Sequence, residues 1–176
     1  MVEDRSRGGA VVAFSWDNPG NLLETALFGT DGQRKRGKGG WAIARRKFDV
    51  LGNTVESRFL GPDEGLTAEI ETGVAVTRRE FDEYRSVTSE SYLDHKEQPV
   101  RHKAHEAFAV RQVYDDRGNM IERHLLAADG FSPLEDKKGA VSYRWEYGEK
   151  DKLVKTVALD RRGRVVHEWR EPIDRR

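Results

Sequence analysis

The chain has 176 residues, with 31 Lys and Arg against 31 Asp and Glu, 36% hydrophobic residues and a mean hydropathy of −0.80. No run approaches the ~18 apolar residues of a membrane-spanning helix, and the absence of cysteine excludes disulfides and thiolate zinc sites. The zero net charge argues against a protein that binds polyanions over its whole surface. Because the start at Met1 shows no secretory signal, we expect a cytoplasmic protein without a membrane partner.

An aromatic residue followed by an anchor position recurs along the chain, and the anchor is Asp in all but the last case. The pairs are Trp16-Asp17, Phe48-Asp49, Phe81-Asp82, Tyr114-Asp115 and Tyr147-Gly148, so the anchors lie 32, 33, 33 and 33 residues apart. Gly-Asn follows three places after the anchor at Gly20, Gly52 and Gly118, and glycine precedes it by nine places at Gly8, Gly40, Gly73 and Gly139. The grid predicts one repeat domain over residues 1–176, with copies at about 8–39, 40–72, 73–105, 106–138 and 139–171.

Each copy reads as a β-hairpin. Asp-x-x-Gly-Asn suits a tight turn, because the carboxylate caps turn amides and glycine supplies a positive φ. The flanking segments, such as 43–48 and 54–60, are rich in β-branched and aromatic residues or alternate in polarity. One hairpin is marginal in water, so the copies must stack. The sequence therefore predicts an all-β fold, an elongated antiparallel sheet of about five stacked β-hairpin repeats.

The two terminal strands of such a stack, at 10–16 and 165–169, would have unpaired edges. Terminal segments could cover these edges, or the edge strands of two copies of the chain could pair in a homodimer. A third alternative is that the chain is part of a longer array.

Stacking places equivalent residues in columns, and one column is cationic. Four places before the anchors lie Arg45, Arg78, Arg111 and Arg144. Seven places after the anchors lie glutamates in three copies, and we expect these across the same hairpin from the arginines. The favoured interpretation is a solvated sheet face with cross-strand ion pairs, and the alternative is an arginine row that recognises carboxylates, phosphates or a partner.

The connectors between hairpins differ strongly in charge. The first contains seven basic residues and no acid: Arg34, Lys35, Arg36, Lys38, Arg45, Arg46 and Lys47. The second is acidic, and the third holds three histidines whose spacing matches no metal-binding motif. Divergent loops on a repeated scaffold indicate a binding face. Tryptophans outside the aromatic column, at Trp41, Trp145 and Trp169, are further candidates for a contact surface.

No nucleophile elbow, phosphate-binding loop or metal-binding helix motif is present, so we expect neither an enzyme nor a cofactor nor a bound metal. The main hypothesis is a binding module for a protein partner, which uses its sheet face and connector loops. The alternative is a nucleic-acid or anionic-polymer binder through residues 34–47, with Arg34, Lys35 and Arg36 on phosphates and Trp41 stacked on a base.

The segment from Val113 to Glu122, with its Tyr-Asp-Asp-Arg-Gly-Asn turn and the Asp-Gly at 129–130, resembles the bacterial YD-type repeats related to the Rhs family. The resemblance covers nearly the whole chain and is sharpest in the fourth copy. The third copy lacks Gly-Asn, and the fifth lacks both the Asp and Gly-Asn. The resemblance implies a β-hairpin repeat protein in an interaction or shell role, although five copies are too few to enclose another protein.

Overall fold

The computed structural model describes residues 11–170, which confirm the all-β prediction. Eleven strands form one antiparallel sheet whose order follows the chain. They are β1 Val11–Trp16, β2 Leu22–Phe28, β3 Ile43–Phe48, β4 Thr54–Leu60, β5 Val76–Phe81, β6 Val87–Leu93, β7 Ala109–Tyr114, β8 Met120–Leu126, β9 Ser142–Tyr147, β10 Leu153–Leu159 and β11 Val165–Arg170. Among residues 11–170, one 3-10 turn, Glu149–Asp151, lies between β9 and β10. Gly8 and the start of the first predicted edge strand lie outside the described residues.

Contacts group the described chain into two units, which are treated separately below. The first unit comprises residues 11–79 and 91–104, and the second comprises residues 80–90 and 105–170. β1 to β4 pair in sequence within the first unit, and β7 to β11 do so within the second. The single domain over residues 1–176 stays a prediction.

The first turns of the hairpins with an Asp anchor have the predicted chemistry. The Asp49 carboxylate accepts hydrogen bonds from the amides of Leu51 and Asn53, at 2.9 and 2.8 Å, and from the Asn53 side chain at 2.8 Å. The residue three places after the anchor has a positive φ in every copy, at Gly20, Gly52, Arg85, Gly118 and Asp151. The backbone of the repeat is therefore retained in the two copies whose sequence has lost glycine.

The core lies at the strand ends away from the first turns. Ile43 at the start of β3 and Leu60 at the end of β4 are buried, whereas Lys47, near the first turn, is exposed. The connectors help to cover the buried ends, because Leu66 packs on the cluster of Ala75, Val76 and Leu93.

The tyrosines of the repeat motif bind the preceding copy. The Tyr147 hydroxyl donates to the carbonyl of Met120 at 3.1 Å, and the Tyr114 hydroxyl donates to the carbonyl of Val87 at 3.1 Å. Both bonds span 27 residues, so they are equivalent bonds in successive copies. Each tyrosine thus links one hairpin to the hairpin before it.

The ends of the strand order agree with the predicted edges. β1 pairs only with β2 among the described residues, and β11 folds back on β10, where Glu168 lies opposite Val157. Edge pairing in a homodimer stays a prediction. Within residues 11–170, no helix has the length and apolar character needed to cross a membrane.

Replacing Tyr147 by Phe removes the hydroxyl bond to Met120 and leaves that carbonyl without its partner. We expect the free energy of unfolding to fall by about 1 kcal/mol, measured by urea denaturation. Tyr84→Phe is the control, because that side chain is 82% exposed. Equal stability of the two variants would show that the hydroxyl does not link the copies.

Candidate functional site

The arginine column forms ion pairs, but with the preceding copy rather than across its own hairpin. Arg45 Nε lies 2.6 Å from Glu24 Oε2, and Arg144 Nε lies 3.1 Å from Glu122 Oε1. The expected pairing across one hairpin is wrong, because the five-residue turn with its register shift sets Glu56 opposite Lys47 instead of Arg45. The face carries the predicted ion pairs, and these join neighbouring hairpins.

Two of these arginines each form an ion pair with a second carboxylate. Glu64 Oε2 lies 2.6 Å from Arg45 Nη2, and Glu97 Oε2 lies 3.3 Å from Arg78 Nη2. Both glutamates stand 19 residues after their arginine, at the positive-φ position of the second turn. The arginine side chains of the second and third copies are therefore held from two sides by the chain's own carboxylates.

Glu56 is the centre of the ion network in the first unit. It is buried and lies within 2.7 Å of Arg58, 3.0 Å of Lys47 and 3.2 Å of Arg78. Arg58 first, and then Lys47 and Arg78, lower the pKa of Glu56 to about 2 against the opposing effect of burial. The glutamate is thus ionised at neutral pH and neutralises cations of both neighbouring strands.

The lowered pKa of Glu56 makes its contribution to stability depend on pH. Because the pKa falls from 4.5 to about 2 on folding, the ionised form stabilises the fold above pH 4.5, and this stabilisation is lost as the pH falls toward 2. Glu56→Gln is expected to lower the free energy of unfolding at pH 7 by about 2 kcal/mol and to flatten its dependence on acidic pH.

The control for this experiment is Glu83→Gln, at an exposed turn position. It should leave both the stability and its pH dependence unchanged in urea denaturation series. An unaltered acid slope in Glu56→Gln would mean that the network does not hold the carboxylate ionised.

The basic first connector contacts the acidic second connector. Arg34 Nη1 bonds Glu64 Oε1 at 2.5 Å, and Arg36 Nη1 donates to the Gly40 carbonyl at 2.6 Å and to Thr67 Oγ1 at 2.8 Å. The opposite charges of the two connectors therefore have a structural role. Lys35 and Lys38 are exposed cations of this segment.

The candidate tryptophans have different environments. Trp41 is half-buried and stacks on Phe59 with ring centres 5.5 Å apart. Trp145 lies under the Arg123 guanidinium at 5.8 Å, and Trp169 is 40% exposed with Lys138 Nζ 5.1 Å from its ring centre. Trp169 is the most accessible of the three.

A groove with both apolar and charged lining, at the first-turn ends of the first two copies, was missed in the sequence. It has a volume of about 640 Å³, and its lining includes Leu23, Phe48, Val50 and Leu51. Val50 is 102% exposed and Leu51 60% exposed. The sequence signal was the apolar Val50-Leu51 pair at turn positions where the fourth copy has Asp116-Arg117.

Charged groups also line this groove. Its cations are Arg46 and Lys47, and the Lys47 side chain is 68% exposed. Its carboxylates belong to Asp17 and Asp49, whose oxygens accept hydrogen bonds within their own turns. The Asn21 side chain is the main cause that lowers the pKa of Asp17. Within residues 11–170, no cluster of three or more His, Asp or Glu side chains could hold a metal ion.

Comparisons with known proteins identify only distant structural similarity. No protein-family model matches the chain, and no curated protein matches it. The Tc holotoxin pore of Photorhabdus luminescens matches with a TM-score of 0.37 and 15% identity, over 84% of this chain and 7% of that chain. A TcdB2–TccC3–Cdc42 structure matches with a TM-score of 0.36 and 15% identity, over 84% of this chain and 7% of that chain. A TcdB2–TccC3 structure matches with a TM-score of 0.32 and 15% identity, over 93% of this chain and 10% of that chain. Similarity at this level carries no argument about activity.

Proposed function

We propose that the chain is a YD-type repeat protein that acts as a non-enzymatic binding module for a protein partner. The observation that carries the proposal is the groove of the first unit, whose lining includes the exposed side chains of Val50 and Leu51. Large exposed apolar side chains gathered in one place are typical of protein contact sites. The Asp-capped turns and the tyrosine bonds between copies support the repeat assignment.

The exposed side chains of the groove favour a partner with an apolar side chain. Lys47 Nζ lies 3.0 Å from Glu56 Oε1, and the two carboxylates of the groove bond their own turns. Because these charges have partners within the chain, we expect Val50 and Leu51 to make the main contact.

Nucleic-acid binding through residues 34–47 remains the alternative. Within this segment Arg34, Arg36, Arg45 and Lys47 contact groups of the chain itself, which leaves less of its positive charge for phosphates. The exposed Val50 and Leu51 also favour a protein, because nucleic-acid interfaces are more polar and more basic.

The test introduces the photo-crosslinking residue p-benzoylphenylalanine in place of Val50 in the cells that produce the protein. Glu83, which occupies the same turn position in the third copy, is the control site. We expect one protein to be crosslinked from position 50 and not from position 83. Its affinity in purified form should fall at least tenfold with Leu51→Ala and stay unchanged with Tyr84→Ala.

Two results would contradict the proposal. Equal crosslinking from both positions would show that the groove is not selective. A nucleic acid as the bound species, released by Lys35→Ala with Lys38→Ala and by raised salt, would favour the alternative.

A further inference from the structure

Arg111 is the exception in the arginine column. It is exposed, and within residues 11–170 no carboxylate contacts it. Its counterparts Arg45 and Arg78 each hold two carboxylates.

Two sequence changes explain this difference. Ser89 occupies the column position that Glu24 and Glu56 take in the first two copies, so the preceding copy supplies no carboxylate. Gly130 stands 19 residues after Arg111, where Glu64 and Glu97 stand after theirs, so the second turn supplies none either. The backbone conformation of the turn is retained, because the φ angle of Gly130 is 79°, compared with 63° for Glu64 and 58° for Glu97.

The strand β8 beside Arg111 places no carboxylate in contact with it. His124 lies opposite it on β8. The nearest glutamate of that strand, Glu122, is 3.1 Å from Arg144 and 3.3 Å from His124. The guanidinium therefore faces solvent at a place where the fold elsewhere holds a glutamate.

We propose that Arg111 binds a glutamate or aspartate side chain of an acidic protein segment. The proposal rests on charge complementarity that the chain itself displays, since Glu64 and Glu97 show which ligand the equivalent guanidinium groups take. A charge-assisted bond from guanidinium to carboxylate is among the strongest polar contacts that proteins make. This inference names the partner chemistry for a surface of the second unit, and it depends on the proposed function only in taking the carboxylate from a protein.

The test measures binding of a fluorescein-labelled hexaglutamate peptide to the full chain by fluorescence anisotropy at low salt. Arg111→Ala should weaken binding about tenfold. Arg78→Ala is the charge-matched control and should bind as the unchanged protein does, because the Arg78 guanidinium already holds Glu56 and Glu97.

A second pair of variants tests whether a carboxylate of the chain itself excludes the peptide from Arg111. Gly130→Glu places a carboxylate where Glu97 lies in the third copy, and it should abolish peptide binding by occupying Arg111. Gly130→Gln has the same backbone strain without the charge and should retain binding. If Gly130→Glu fails to fold, as judged by circular dichroism, the comparison of Arg111→Ala with Arg78→Ala still decides.

Three results would overturn the inference. Arg111→Ala could bind hexaglutamate as tightly as the unchanged chain, or Arg78→Ala could lose as much affinity, which would indicate a general charge effect. Displacement of the peptide by equimolar inorganic phosphate would assign the site to phosphate instead. None of these results involves Val50 or Leu51, so the crosslinking test of the groove would stand independently.

Discussion

The first four hairpins depend on a turn that one carboxylate caps and one left-handed residue closes, and the fifth, with Gly148 at the anchor, keeps only the left-handed residue. Asp115 accepts from the amides of Arg117 and Asn119, at 3.0 and 2.8 Å, while Gly118 takes a φ of 84°. The second turns use the same chemistry, since Asp94 accepts from the amides of Lys96 and Gln98. Because turn length fixes strand register, this local rule determines which side chains meet across the sheet.

The turns that have lost glycine show how the repeat diverges. Glu64, Glu97, Glu106 and Asp151 adopt positive φ, which costs an ordinary residue about 1–2 kcal/mol. Each of these side chains contacts a residue about one repeat away: Glu106 bonds Lys137, and Asp151 bonds Asn119 and Arg117. Side-chain contacts between copies thus offset the backbone strain. At Gly130 glycine is retained, and the corresponding Arg111 stays exposed.

The sequence was sufficient for the parts of the fold that local chemistry dictates. The Asp and Gly grid predicted the hairpins, and alternation predicted strands such as β3 and β4. The partners of the arginines could not be predicted, because a register shift between Lys47 and Phe48 moves Glu56 to its observed neighbours. The role of Arg34 was missed for a related reason: its partner Glu64 lies 30 residues away, so charge sign alone suggested a site for an external anion. Val50 and Leu51 were missed because the turn motif leaves those positions unconstrained.

The stability of Gly118→Ala, compared with Gly65→Ala, tests the role of the turn most directly. A Cβ at Gly118 would meet no atom within 4 Å, so only its positive φ opposes the change, whereas Gly65 lacks a positive φ and would make an ordinary contact at 3.4 Å. Urea denaturation should show a loss of about 1 kcal/mol for Gly118→Ala and no loss for Gly65→Ala. Equal stability of the two variants would contradict the conclusion that the left-handed turn residue governs the repeat.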